Sequence, residues 1–427
     1  MSKNKCVPKK NIYKDKTLSL KNFKVDKIKN YLRQRDPFKG FKLIFKIILF
    51  IFLKNKYSNQ NVEEIKPDSI IVATGGNLGG SIISIPLIQG IRNKWPNAHL
   101  VVISNRKHSL EIIKTSVKCE EYILIPDVSL INSLFNKKIN KLKNHLSSFS
   151  PDLFVGNHNF RLSYLLPLKK IKYCISSINF LDFAEERFLF DKAIPYKASK
   201  ENWLENYWDI LKILSIREEY FPKIKANQNK GIELLKDKFS INLEKKELIG
   251  IQAGVWEQHA FRAWPTKKMA EFCNLLLNNQ NIILIIIGTS NQYDLLNYLK
   301  KYSVDFSRIY STLGLFSIQE LLNVVSTCKL VVSNDSGLMH VSASLSVPTL
   351  ALYGPTIPNT TWVYGDSICK AIIMNDDGRP NYEKMSSLQS EKDYFYKSRD
   401  NMKNISPQFV YSKALKLLEN IKQSNNF

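Results

Sequence analysis

Asp335, Ser336 and Gly337 follow the apolar run at 330–333 and precede a helix-like stretch, so they sit where a strand passes into a helix. The chemistry such a junction offers is anion binding. The first turn of a helix presents N–H groups without intrahelical partners and the positive end of the macrodipole, and a glycine lets a bulky anion approach the backbone. Asp335 adds a carboxylate that accepts from hydroxyls. The same three residue types are also ordinary capping and turn residues, so the junction alone leaves a plain helix cap open. Arg262 is a second candidate. It lies in Arg262-Ala263-Trp264-Pro265, between a strand end at Gln252-Ala253-Gly254 and a helix beginning near Lys267. Its planar fork there suits a diphosphate, the alternative being a solvated Arg beside a Trp-Pro turn. Ser317-Ile318-Gln319-Glu320 has the spacing of a capping box, and Phe316 before it either staples that helix or stacks on a base.

These residues need rigid elements behind them. Apolar runs of strand length recur at 69–74, 99–104, 122–125, 152–155, 248–252, 282–287, 330–333 and 349–353, separated by amphipathic helical stretches. Near-continuous hydrophobicity means burial on both faces, as in parallel sheets covered by helices. Two doubly wound α/β units of four strands each follow, with a polar, Lys-rich linker at about 223–246. A ligand would bind in the crevice at the carboxyl ends of the strands, between the units. The stretch 375–401 reads as loop, and Ser406-Pro407 opens a last helix running to 421.

The first unit begins with Thr74-Gly75-Gly76-Asn77-Leu78-Gly79-Gly80, joining the strand at 69–74 to a helix at 81–92. It lacks G-x-G-x-x-G and an acidic residue after the next strand, which excludes a dinucleotide fingerprint, and no Gly-Lys-Ser/Thr follows to make a Walker loop. Its glycines either keep a surface open for a large substrate or simply turn tightly.

Length and composition agree with this frame. The chain has 427 residues, 44% of them hydrophobic, enough for two full cores and appendages. Six scattered cysteines, with no C-x-x-C, exclude a disulfide framework and a zinc site and fit a reducing cytoplasm. The first sixty residues hold 17 Lys or Arg against three Asp, more than half of the net charge of +24. Within them, residues 41–53 form a short apolar segment with basic flanks. It is too short to span a bilayer and too deep in the chain for a secretory signal. It fits either an anionic membrane surface or the protein's own core. No nucleic-acid reader module is present.

Taken together, several stretches resemble glycosyltransferase family 9, the family of the ADP-heptose:lipopolysaccharide heptosyltransferases. They are Asp335-Ser336-Gly337-Leu338-Met339-His340-Val341-Ser342-Ala343, Leu352-Tyr353-Gly354-Pro355-Thr356, Arg262-Ala263-Trp264-Pro265, and the run from Leu78-Gly79-Gly80-Ser81 to Ile85-Pro86. The resemblance covers about residue 66 to the C-terminus. It implies a GT-B fold, two Rossmann-like domains facing a cleft. The domains would be a basic extension over 1–62, an acceptor domain over 63–225, a nucleotide-sugar domain over 240–404, and a last helix over 405–427 crossing back to the first domain. It also implies inverting transfer of a sugar, heptose from ADP-heptose in the simplest case, without metal or cofactor. The acceptor would be a lipid-linked glycan such as lipopolysaccharide, met in the cytoplasm at the inner membrane face, which residues 1–60 would suit.

By position in that family, Asp335, Ser336, Gly337 and Leu338 line the donor's diphosphate and sugar, with His340 one turn further along. Arg262 neutralises the diphosphate, Gln292 and Phe316 contact ribose and adenine, and Gly79, Gly80 and Gly254 border the substrates. One departure stands out. The family's first turn carries Gly-Asp, the Asp being the proposed base, and here the pair is Gly79-Gly80. His158, just past the strand at 152–155, is the replacement base that the sequence offers, a structural loop histidine being the alternative; Asp182 and Glu185 are further candidates. Loss of that base also allows a second function class, a donor-binding relative with a regulatory role.

Overall fold

The computed structural model describes residues 65–126, 137–156, 171–178, 190–195, 202–255, 257–354, 356, 358–364, 369–373 and 402–424. His158, Asp182, Glu185, the basic extension and the loop at 375–401 lie outside the described residues. Two six-stranded, wholly parallel sheets make up the frame. In the first, β1 (Ser69–Ala73), β2 (His99–Ser104), β3 (Glu121–Leu124), β4 (Leu153–Gly156), β5 (Tyr173–Ile178) and β6 (Lys192–Pro195) lie in the order 3-2-1-4-5-6. The second repeats that order with β7 (Glu247–Gln252), β8 (Ile282–Ile287), β9 (Ile309–Ser311), β10 (Leu330–Asn334), β11 (Thr349–Tyr353) and β12 (Cys369–Ile373). Ile70, Ile71 and Val72 of β1, like Ile285 and Ile286 of β8, are fully buried. That is the burial the apolar runs required of two-sided parallel strands. Each sheet reverses its winding beside its first strand, between β1 and β4 and between β7 and β10. Those two places are where a doubly wound sheet opens a crevice.

The helices are α1 (Leu78–Lys94), α2 (Lys107–Lys114), α3 (Lys137–Ser148), α4 (Trp203–Ile213), α5 (Gln228–Phe239), α6 (Thr266–Leu277), α7 (Asp294–Tyr302), α8 (Ile318–Val325), α9 (Gly337–Ser344), the short α10 (Pro358–Thr361) and α11 (Pro407–Ser424). Two expectations change. Each sheet has six strands rather than four, the additions being β5, β6, β9 and β12. The linker stretch contains α5, which packs on α8. Gly231 allows that crossing, because a Cβ there would come within 2.7 Å of the Asn323 carbonyl carbon. Along its described length, α11 packs on the second domain. Its Val410, Ala414, Leu417 and Leu418 enter the core of the second sheet beside α6. Pairing with the second domain follows from its apolar stripe meeting Phe272 and Trp264 there.

The two sheets share one continuous core through α1, α4 and α9, which places Ile82, Ile210 and Val341 in one buried cluster. No helix among the described residues is long and apolar enough to cross a membrane.

Candidate functional site

The strand-to-helix junction at Asp335 is built from buried polar groups. Asn334 ends β10, Asp335 and Ser336 turn the chain, and Gly337 begins α9. Asp335 is 3% exposed, and one of its carboxylate oxygens, Oδ2, lies 3.2 Å from Arg262 Nη1. That contact is an ion pair without hydrogen-bond alignment, since Asp335 Oδ2 and Arg262 Nε are both buried without a hydrogen-bond partner. The other oxygen accepts from Thr361 Oγ1 at 3.4 Å. A pair held this loosely leaves unsatisfied polar atoms at the junction for a ligand to meet.

Arg262 reaches Asp335 because its segment is anchored on both sides. The turn Glu257–Arg262 follows β7, and the Arg262 guanidinium stacks 5.4 Å from the Phe261 ring centre. Next to it, the buried Trp264 donates its backbone N–H to Asn334 Oδ1 at 2.8 Å and its indole N–H to the Ile405 carbonyl at 3.1 Å. Trp264 thus ties the loop after β7 to the end of β10, the two strands flanking the second sheet's reversal.

Gln252, the last residue of β7, completes the floor. Its Oε1 accepts from Ser333 Oγ at 2.9 Å and from the Asn334 backbone N–H at 2.8 Å, and its Nε2 donates to Ser336 Oγ at 2.7 Å. Sequence reasoning noted Gln252 only as a strand end. The signal was there, in a polar residue closing the apolar Leu248-Ile249-Gly250-Ile251.

Across the cleft, the first turn of α1 faces the first turn of α9, and glycines make the approach possible. A Cβ on Gly79 would lie 2.6 Å from His340 Cδ2, and one on Gly337 would lie 2.8 Å from Leu78 Cβ. Each helix therefore inserts a side chain where the other has none. Two positive helix ends converge on one place. Gly80, one residue along, is different. A Cβ there would meet only Asn77 Oδ1 at 3.5 Å and the Gly75 carbonyl at 3.7 Å. The turn ahead of it bends through Gly76 at φ 114°, a conformation that glycine tolerates.

His340 is buried, and its Nδ1 lies 3.2 Å from the Tyr364 hydroxyl. Burial lowers its pKa to about 4, the Asp335 charge opposing and the Arg262 charge assisting. The imidazole is therefore neutral near pH 7. His108, at the start of α2, was not singled out from sequence. It bonds the Gly76 backbone beside the first-domain turn, and desolvation holds its pKa below the usual histidine value.

The remaining predicted residues fall into two places. Gln292 closes a turn after β8 by accepting from the Thr289 N–H at 3.0 Å, and its amide lies against Gly254, so these two meet at the ends of β7 and β8. Phe316 stands elsewhere, edge-on to Phe239 at 6.2 Å, before a capping box that Ser317 and Glu320 complete. Its position is that of the staple.

Comparison with known proteins follows the same outline. Residues 191–392 match the family model of glycosyltransferase family 9 (heptosyltransferase). Lipopolysaccharide heptosyltransferase 2 of Salmonella typhimurium is 29% identical over 145 residues, 33% of this chain and 40% of that protein. The chain thus spans about two fifths of the curated relatives it first matches. Among solved structures, E. coli ADP-heptose lps heptosyltransferase II superposes with a TM-score of 0.66 at 20% identity, covering 83% of this chain and 99% of its own. E. coli heptosyltransferase with ADP-2-deoxy-2-fluoro heptose gives 0.56 at 13%, covering 82% and 99%. The architecture is GT-B.

Proposed function

Since residues 191–392 match the family model of glycosyltransferase family 9, we propose that the chain acts as a member of that family and moves a sugar, heptose from ADP-heptose in the simplest case, onto a lipopolysaccharide or related lipid-linked glycan. The observation that carries this reading is the Asp335, Arg262 and α9 junction, where a half-buried cation and a helix N-terminus meet at the sheet's reversal. A leaving ADP gathers charge on its diphosphate, and fixed N–H dipoles with a guanidinium offset that charge without rearranging. The acceptor oxygen attacks the anomeric carbon from the first-domain side as the bond from that carbon to the phosphate oxygen breaks, so the anomeric centre inverts. The acceptor's proton goes to a base, for which we assign His158 from its sequence position just beyond β4. Residues 1–60 would hold the protein at the inner face of the cytoplasmic membrane, where a lipid-linked acceptor lies.

The test is sugar transfer from a panel of ADP-, UDP- and GDP-sugars, in the presence of a metal chelator. Transfer from an ADP-sugar alone supports the reading; transfer from none of them, or only from the other nucleotides, contradicts it. Gly80 favours a second reading. Without the family's Asp, the chain would be a donor-binding relative with weak catalysis and a regulatory role. Tight ADP-sugar binding with no transfer would select it.

A further inference from the structure

At three helix starts the N-cap side chain does what its residue type suggests: Asn77, Asn227 and Ser317 each accept from the backbone N–H three residues on. Ser336 stands at the N-cap of α9, is equally able to do so, and does not. Its oxygen is occupied from the other side, accepting the 2.7 Å bond from Gln252 Nε2. The direction of that bond is fixed. The Asn334 backbone N–H must face the amide oxygen of Gln252, so the amide nitrogen is what Ser336 meets. Gln252 is 6% exposed and cannot swing away.

We propose that Gln252 is a positioning residue that holds Ser336 off its own helix, leaving the first N–H groups of α9 and the Ser336 hydroxyl proton for the donor's diphosphate. The inference rests on the reading of this junction as the nucleotide-sugar site and adds the element that keeps the site open. An independent feature points to a ligand at the same spot. Asp335 Oδ2, on a residue 3% exposed, and the buried Arg262 Nε both lack hydrogen-bond partners there. Without Gln252, the Ser336 oxygen would turn to its own helix and compete with the anion for the same N–H groups. Asp335 is engaged with Arg262 and Thr361, and Gln252 is what bonds the Ser336 hydroxyl.

The experiment is an ADP titration by calorimetry on the full chain and on Gln252→Met, Ser336→Ala and the double variant, with unfolding midpoints taken alongside. Each single variant is expected to weaken ADP by about tenfold, the scale of one hydrogen bond to a charged group. The double variant should lose no more than either single one, because both act through one hydroxyl. Gln252→Glu guards against a folding failure of the Met variant. It keeps the acceptor that Ser333 and Asn334 need; ionised, it loses the donor to Ser336 and adds a negative charge, so the protonated form, which has neither defect, is the one compared with wild type. Relative to wild type, its ADP affinity should be low at alkaline pH and recover on acidification, as the protonated carboxyl regains an O–H to donate. Equal ADP binding by wild type and Gln252→Met, losses that multiply in the double variant, or a Glu variant whose affinity relative to wild type ignores pH would each overturn the proposal. No ADP binding by wild type would overturn the donor-site reading as well, which separates the two failures.

Discussion

The first turns of α1 and α9 each follow a strand beside their sheet's reversal, α1 the first strand of its sheet and α9 the fourth of its own, yet they are furnished in opposite ways. The α9 turn carries a buried Asp335, a facing Arg262 and an N-cap held away from the helix. The α1 turn carries glycines, has no acidic residue, and is capped by its own Asn77, which accepts from the Gly80 N–H at 3.0 Å. Both sheets therefore bring a helix start to their reversal, and only local side chains decide which one suits an anion. The α1 turn instead contributes clearance, spent at Gly79 on the His340 ring and left open at Gly80.

The largest expected effect tests that open space. Gly80→Asp places a carboxylate where the resemblance expects the base, at a position with room for a Cβ, and in a His158→Ala background should raise the transfer rate by about two to four orders of magnitude. An unchanged rate in folded protein would mean that the α1 turn is not short of a base. On the α9 side, Arg262→Met should weaken ADP about a hundredfold in calorimetry, and Arg262→Lys should recover only part, because an ammonium lacks the planar fork. Equal affinities would separate Arg262 from the diphosphate.

His340, between the two turns, gives a smaller and pH-dependent effect. Its folded pKa of about 4 lies below the ordinary 6.5, so the unfolded chain binds a proton that the folded chain does not over that window. Stability is thus complete above about pH 6.5 and falls as the pH drops towards 4, by about 2 kcal/mol between about pH 7 and pH 5. Denaturant unfolding of wild type and His340→Asn at those two pH values should differ by that amount; parallel losses would mean the ring is solvated. Smallest is the contrast between neighbours. Gly79→Ala drives a methyl into the His340 ring and should cost about 1 to 2 kcal/mol, whereas Gly80→Ala should be neutral or slightly stabilising. Equal thermal midpoints for the two would contradict the interlocked approach of α1 and α9.

The central strands were legible because their burial on both faces leaves long apolar runs, as in Ile282–Ile287. β6, β9 and β12 escaped because edge strands of three to five residues carry little of that signal. β5 was hidden by Ser176 and Ser177, buried hydroxyls that break its apolar run. α5 read as linker, since Gly231 and Leu235 are its buried positions among lysines and other polar residues. At the site, Asp335 and Arg262 could be named from motif and charge, but not that they face each other across 73 residues of sequence. Gln252 was harder still. Its role lies in bonds to Ser333, Asn334 and Ser336, and the parallel pairing of β7 with β10 is what brings them within reach.

The claim on which the rest depends is that the α9 junction binds the diphosphate of a nucleotide through protein groups alone. Calorimetric titration of the full chain with ADP in the presence of a chelator tests it most directly. Binding that persists without divalent metal and collapses in Arg262→Met is the expected result. Absence of binding, or binding that appears only when magnesium is added, would contradict it.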